Sequence, residues 1–199
     1  MENCVKSRKN NIKENLNKLL SEDRDKIALL FSHAAGIIMG SVTCAIYGSD
    51  WVDSDTVHKY CTNPTETAIH LVAVTVGFIL LMLILGLFRF TGILIYPAVC
   101  FRGLGLGALT CGILQIGGTM GMCFTALTVL PYAVINSALA VYAGEFSLGI
   151  RRAFGKNNSA LTKGLILHTF KIFTLYIIIA MASCFLFVGS CYAFGKYLI

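Results

Sequence analysis

The feature that most constrains this chain is residues 27–48, IALLFSHAAGIIMGSVTCAIYG, a run without one formal charge, followed by four more apolar stretches. A helix rises ~1.5 Å per residue and a bilayer's hydrocarbon core is about 30 Å thick, so roughly 20 such residues cross it. In lipid every backbone polar group needs an internal partner, which restricts a spanning chain to helices or a closed barrel. The further stretches are 67–88, 92–115, 120–143 and 164–195. The first run is too long for a signal-peptide core and has no convincing cleavage site after it, so it reads as a span. Hydrophobic residues make up 56% of the 199 and charged residues only 13%, against about 25% charged in a soluble domain. This excludes a nucleic-acid-binding domain or a disordered tail and argues against a soluble enzyme. The expected fold is all-α: a polytopic transmembrane bundle of about five spans.

Residues 1–26 are polar and charged with a basic excess, yet Ile12, Leu16, Leu19 and Leu20 fall on one helical face. Such a segment can rest on anionic lipid or dock a partner. Two regions are therefore expected, a cytoplasmic amphipathic segment (1–26) and a transmembrane domain (27–199). The third stretch is interrupted by Pro97, Arg102, Gly103, Gly105, Gly107 and Gly112. Proline removes a backbone donor, and closely spaced glycines weaken a helix. A kinked span or a re-entrant element both fit, and five crossings agree better with the charges.

Those charges set the orientation. The 49–66 loop carries Asp50, Asp53, Asp55 and Glu66 against Lys59, while Arg151, Arg152, Lys156 and Lys163 face Glu145 in the 144–163 segment. Basic loops stay in the cytoplasm. The expectation is a multi-pass cell-membrane protein with a cytoplasmic amino terminus and an extracytoplasmic carboxyl terminus. The sequon Asn157-Asn158-Ser159 then lies inside and is discounted.

Small residues recur every four positions on the first span: Ser32, Gly36, Gly40, Cys44 and Gly48. Gly103 and Gly107, and Gly117 and Gly121, repeat the spacing. Lipid tails are as apolar as leucine, so helices associate through close backbone approach at small residues. The spacing serves packing within the chain, a partner helix or a homo-oligomer.

Arg102 is the most informative single residue. Arginine at mid-span costs about 2.5–3.5 kcal/mol on insertion scales. Either it snorkels to a headgroup, or it lines a polar cleft with Gln115 and Asn136. No acid lies within the first three spans, which argues against ordinary proton or cation coupling. His33 could hydrogen-bond a neighbouring helix, whereas His70 and His168 sit near span ends. The eight cysteines form no CxxC pair and show no metal-ligand spacing with the histidines, so no metal or cofactor is expected. FRGLGLGAL is not a nucleotide loop, and GxSxG and HExxH are absent. No catalytic residue can be named, and the expectation is not an enzyme.

The central block reads GLFRFTGILIYPAVCFRGLGLGALTCGI, then GTMGMCFTALTVLPYAVINSALAVYAG. Over about residues 70–145 it resembles the stage II sporulation protein M family. The likeness lies in a mid-position proline leading to Arg102–Gly103, then glycine-spaced apolar residues, then the Leu130–Pro131 step near Asn136. Many members place Asn nearly next to that step; here Tyr132 follows and Asn136 comes later. The resemblance implies an integral membrane scaffold without catalysis, required for sporulation engulfment. It would anchor the peptidoglycan-degrading partners, stage II sporulation proteins P and D. The alternative from the residues is a membrane subunit of a small-molecule, lipid or peptide transporter, since carriers place binding groups at broken helices near midplane.

Overall fold

The computed structural model describes residues 2–48, 63–88, 91–156 and 163–195. Most of the acidic 49–66 loop, Arg89 and the 157–159 sequon lie outside these. Five helices carry the chain: α1 (Glu2–Tyr47), α2 (Pro64–Leu87), α3 (Gly92–Phe124), α4 (Leu130–Lys156) and α5 (Lys163–Gly195), with a π-helical turn, Thr125–Val129, joining α3 to α4. Each contributes a stretch long and apolar enough to cross a membrane. The protein is a multi-pass membrane protein. Its exterior fits lipid: Phe31, Ile46, Ile93, Phe101 and Leu186 all point outward.

Contacts fix the helix directions. Lys26 bonds Glu145 at 3.0 Å, and Arg152 pairs with Asp25, so α1 and α4 run antiparallel from one end of the bundle. Gly92, the first residue of α3, lies against the Arg151 side chain at that same end. Phe146 packs on Phe173, ring centroids 5.7 Å apart, while Asn136 meets Ser183, so α5 runs antiparallel to α4. Successive helices alternate in direction, as five crossings require.

The α1 backbone stays helical from Glu2 to Tyr47, straight past residue 26 where the sequence changes character. The amphipathic face of Ile12, Leu16, Leu19 and Leu20 lies outside the described side chains. Gly48 ends α1 with φ +56°, a conformation that glycine adopts without a Cβ penalty.

α3 holds its helix through Pro97, Arg102 and the glycine run. Its stretch Gly92–Gln115 accompanies the apolar part of α1 along its whole length, the extent of a full candidate span rather than of a short dip. The chain doubles back after that. A Cβ on Gly121 would sit 2.7 Å from the Ile113 carbonyl oxygen, although eight residues of straight helix span ~12 Å. The helical backbone therefore bends sharply between Gln115 and Gly121, where the third candidate span gives way to the fourth.

The fourth span is assembled from pieces. Pro131 has no N–H to offer the preceding turn, and directly before it the ladder widens: the Leu130 N–H reaches the Thr125 carbonyl five residues back. The Thr128 hydroxyl bonds the Phe124 carbonyl at 2.7 Å, while the Thr125 hydroxyl is buried without a partner.

Candidate functional site

The seam between α1 and α3 is built from glycine. A Cβ on Gly36 would lie 2.8 Å from the Cys100 carbonyl carbon, and one on Gly40 equally close to that of Leu104. Reciprocally, Cβ atoms on Gly103 and Gly107 would overlap the carbonyl oxygens of His33 and Ile37. The two helices run parallel with backbone against backbone, as small-xxx-small spacing permits. Ser32 donates to the Tyr96 carbonyl at 2.7 Å and Ser41 to the Gly107 carbonyl at 3.2 Å, two polar ties across the same seam. Cys44 continues the buried face, whereas a Cβ built on Gly48 would meet nothing within 4 Å.

Arg102 projects from the other side of α3. Its Nη2 donates to Thr75 Oγ1 and to Asn136 Oδ1, both at 2.8 Å. Its guanidinium carbon lies 5.8 Å from the centre of the Phe78 ring, a cation–π distance. Asn136 Nδ2 donates to the Tyr132 carbonyl at 3.1 Å and reaches Ser183 Oγ at 3.5 Å. The Cys184 thiol points at Thr75 Oγ1 from 3.7 Å. Thr75 and Asn136 are each 2% exposed, so the acceptors of these bonds are buried while Arg102 itself is half-buried.

His33 extends the arrangement to α1. Its Nδ1 lies 3.2 Å from the Val99 carbonyl oxygen and its Nε2 lies 2.8 Å from Ser137 Oγ. A carbonyl only accepts, so Nδ1 carries the proton there, and in the neutral ring Nε2 accepts from the Ser137 hydroxyl. Every helix thus places a polar group at one level. The apolar core divides at the same level. Below it pack Leu29, Ile79, Ile95, Val99, Leu139 and Phe173. Above it pack Leu106, Ile113, Phe124, Tyr132 and Phe187. Thr75, Arg102, Asn136 and Ser183 each fall between these groups on their own helix. They form a polar layer about ten residues, or ~15 Å, from the α3 start.

Gln115 does not join this layer. It lies 13 residues beyond Arg102, ~20 Å along α3, and its Oε1 faces the Cys44 thiol at 3.9 Å. Thr75 and Ser183 do join it, and nothing in their local sequence marks them, since hydroxyl residues are common neutral members of apolar helices. The layer holds a permanent cation among neutral dipoles and a ring face. No group of three His, Cys, Asp or Glu placed to hold a metal occurs among the described residues.

No protein-family model, curated protein or solved structure matches the chain.

Proposed function

We propose that the chain is an integral membrane scaffold that holds other membrane proteins in place, acting through helix contact. The observation that carries this reading is the use made of Arg102. Arg102, a cation near mid-depth, is turned onto Thr75 and Asn136, so it fastens helices together. The continuity of α3 through Arg102 removes the broken-helix support for a transporter subunit. The glycines of α1 and α3 serve the internal seam, which leaves the lipid-facing sides for partners. The resemblance of the Arg102–Gly103 and Leu130–Pro131 segments supplies the finer proposal. The partners are membrane-anchored peptidoglycan hydrolases of the stage II sporulation protein P and D kind, recruited during engulfment.

The test is co-purification in mild detergent of the full chain with a single-span hydrolase encoded beside it. Gly36→Leu and Gly40→Leu would break the bundle itself, so the discriminating variants lie on the outer face of α1. Ile38 is 63% exposed and Val42 50%. Ile38→Trp and Val42→Trp should release the hydrolase while leaving the fold melting as wild type. A chain that retains no such hydrolase, and whose loss instead abolishes uptake of a solute, overturns the proposal.

A further inference from the structure

Arg102 uses only part of its bonding capacity on its own chain. A guanidinium has five N–H donors and cannot shed its charge. The two on Nη2 go to Thr75 and Asn136. The Tyr132 hydroxyl stands beside the group as well. Counting one donor for it leaves two N–H groups without an acceptor among the described residues. They are not sealed in. No Arg102 nitrogen is both buried and unpartnered, a state that only the Thr125 hydroxyl shows among the described residues, and the Arg102 side chain is half-buried. Its unused edge therefore opens to the outside of the bundle.

No carboxylate of this chain is placed to meet that edge. Asp and Glu are absent from residues 26–49, 67–144 and 146–199. Glu66 and Glu145 stand nine residues from Thr75 and Asn136 on their helices, ~13 Å of rise, and Asp25 pairs with Arg152 at the end of the bundle. Arg102 is itself about halfway along the candidate span Gly92–Gln115, ~15 Å from its start, beyond the reach of a lipid headgroup. The surface around it is open. Gly105, one turn on in α3, and Gly77, next to Phe78 in α2, are exposed, and a Cβ on either would meet nothing within 4 Å. Unlike the glycines of the α1 seam, these two serve no close approach within the bundle.

We infer that this face docks a partner's membrane-spanning helix that carries an aspartate or glutamate at mid-depth. Ionisable groups inside a membrane pair with one another, and here the cation has only neutral dipoles and a ring for company. The partner's carboxylate accepts from the open edge of Arg102 in a charge-assisted bond, and the partner's backbone comes close at Gly77 and Gly105. A second copy of this chain does not fit the site, since it brings another arginine and no acid at that depth. The inference rests on the scaffold reading for the existence of a partner; it adds the partner's chemistry and a face apart from Ile38 and Val42 of α1.

The experiment measures energy transfer, in phosphatidylcholine vesicles, between the labelled full chain and labelled synthetic spanning peptides of about 20 leucines flanked by lysines. A peptide with a central glutamate should bind about tenfold or more tightly than one with a central glutamine, the low end of what a hydrogen bond to a charged group contributes. Moving the glutamate to the second turn of the peptide should remove that gain, because the depths no longer match. Arg102→Met should abolish the preference for glutamate. Gly105→Leu fills open space, so it should weaken capture of the glutamate peptide while the bundle melts as wild type, which keeps the test sharp even where Arg102→Met loses the fold. Equal binding of the glutamate and glutamine peptides, or a gain indifferent to the depth of the glutamate and to Gly105→Leu, would overturn the inference. Hydrolase retention is read separately through the α1 variants, so the two readings can fail independently.

Discussion

Replacing Gly40 by alanine adds a single methyl group, yet the seam has no room for it. The new Cβ would lie 2.8 Å from the Leu104 carbonyl carbon and 2.9 Å from its Cα. Ordinary carbon contacts are about 3.5–4.0 Å, and backbone cannot rotate aside, so α1 and α3 must separate by about 1 Å. A gap of that size forfeits up to about half of each dispersion contact along the seam. Overpacking of this kind costs about 1–3 kcal/mol. The bonds from Ser32, His33 and Ser41 stretch with it, at about 0.6 kcal/mol each in a membrane. The expected loss is ~2–4 kcal/mol. Gly105, on the same stretch of α3, has nothing within 4 Å of its Cβ position. Gly105→Ala should be neutral or gain up to ~1 kcal/mol from helix propensity. The assay is loss of helicity by circular dichroism as sodium dodecyl sulfate is titrated into mixed micelles. Equal midpoints for the two variants would refute the seam, because the same chemical change would then be indifferent to which side of α3 it occupies.

Asn136→Leu should cost about 1.5–3 kcal/mol in that titration, the usual loss for a hydrogen bond to a charged group. Adding Arg102→Met should recover part of it by removing the cation left short of partners; a double variant less stable than both singles would contradict the coupling. Thr125→Val should stabilise by about 1 kcal/mol, since it deletes a buried hydroxyl without a partner while keeping its shape, and a destabilised variant would mean that the hydroxyl is bonded. Reporter fusions to the two termini should read opposite sides of the membrane, cytoplasmic at the amino end; matching signals would remove the odd number of crossings.

The spans were legible because lipid imposes one rule on every residue of a run, and that rule leaves its mark as length without charge. The meeting of Gly36 and Gly40 with the third span was legible in kind, since spacing of four marks a face, but spacing does not say which face answers it. Arg102 announced itself by its cost. Its neighbours did not: Asn136 was visible as the one amide of its span, whereas Thr75 is selected only by where α2 crosses α3. Gln115 shows the limit from the other side. It looked like a fit companion for Arg102, but polarity alone carries no depth, and 13 residues of helix separate the two. The π turn depends on how backbone groups are shared around Pro131.

The charge on Arg102 has an electrical consequence. The sequence supplies no Asp or Glu between residues 67 and 144, nor between 27 and 49. At mid-depth this guanidinium is held by the dipoles of Thr75 and Asn136. A fixed positive source in a medium of low permittivity raises the energy of any cation approaching along the bundle axis, the device by which water-conducting pores turn protons away. Water that entered between these helices would meet that barrier before it could carry sodium or protons along the bundle axis.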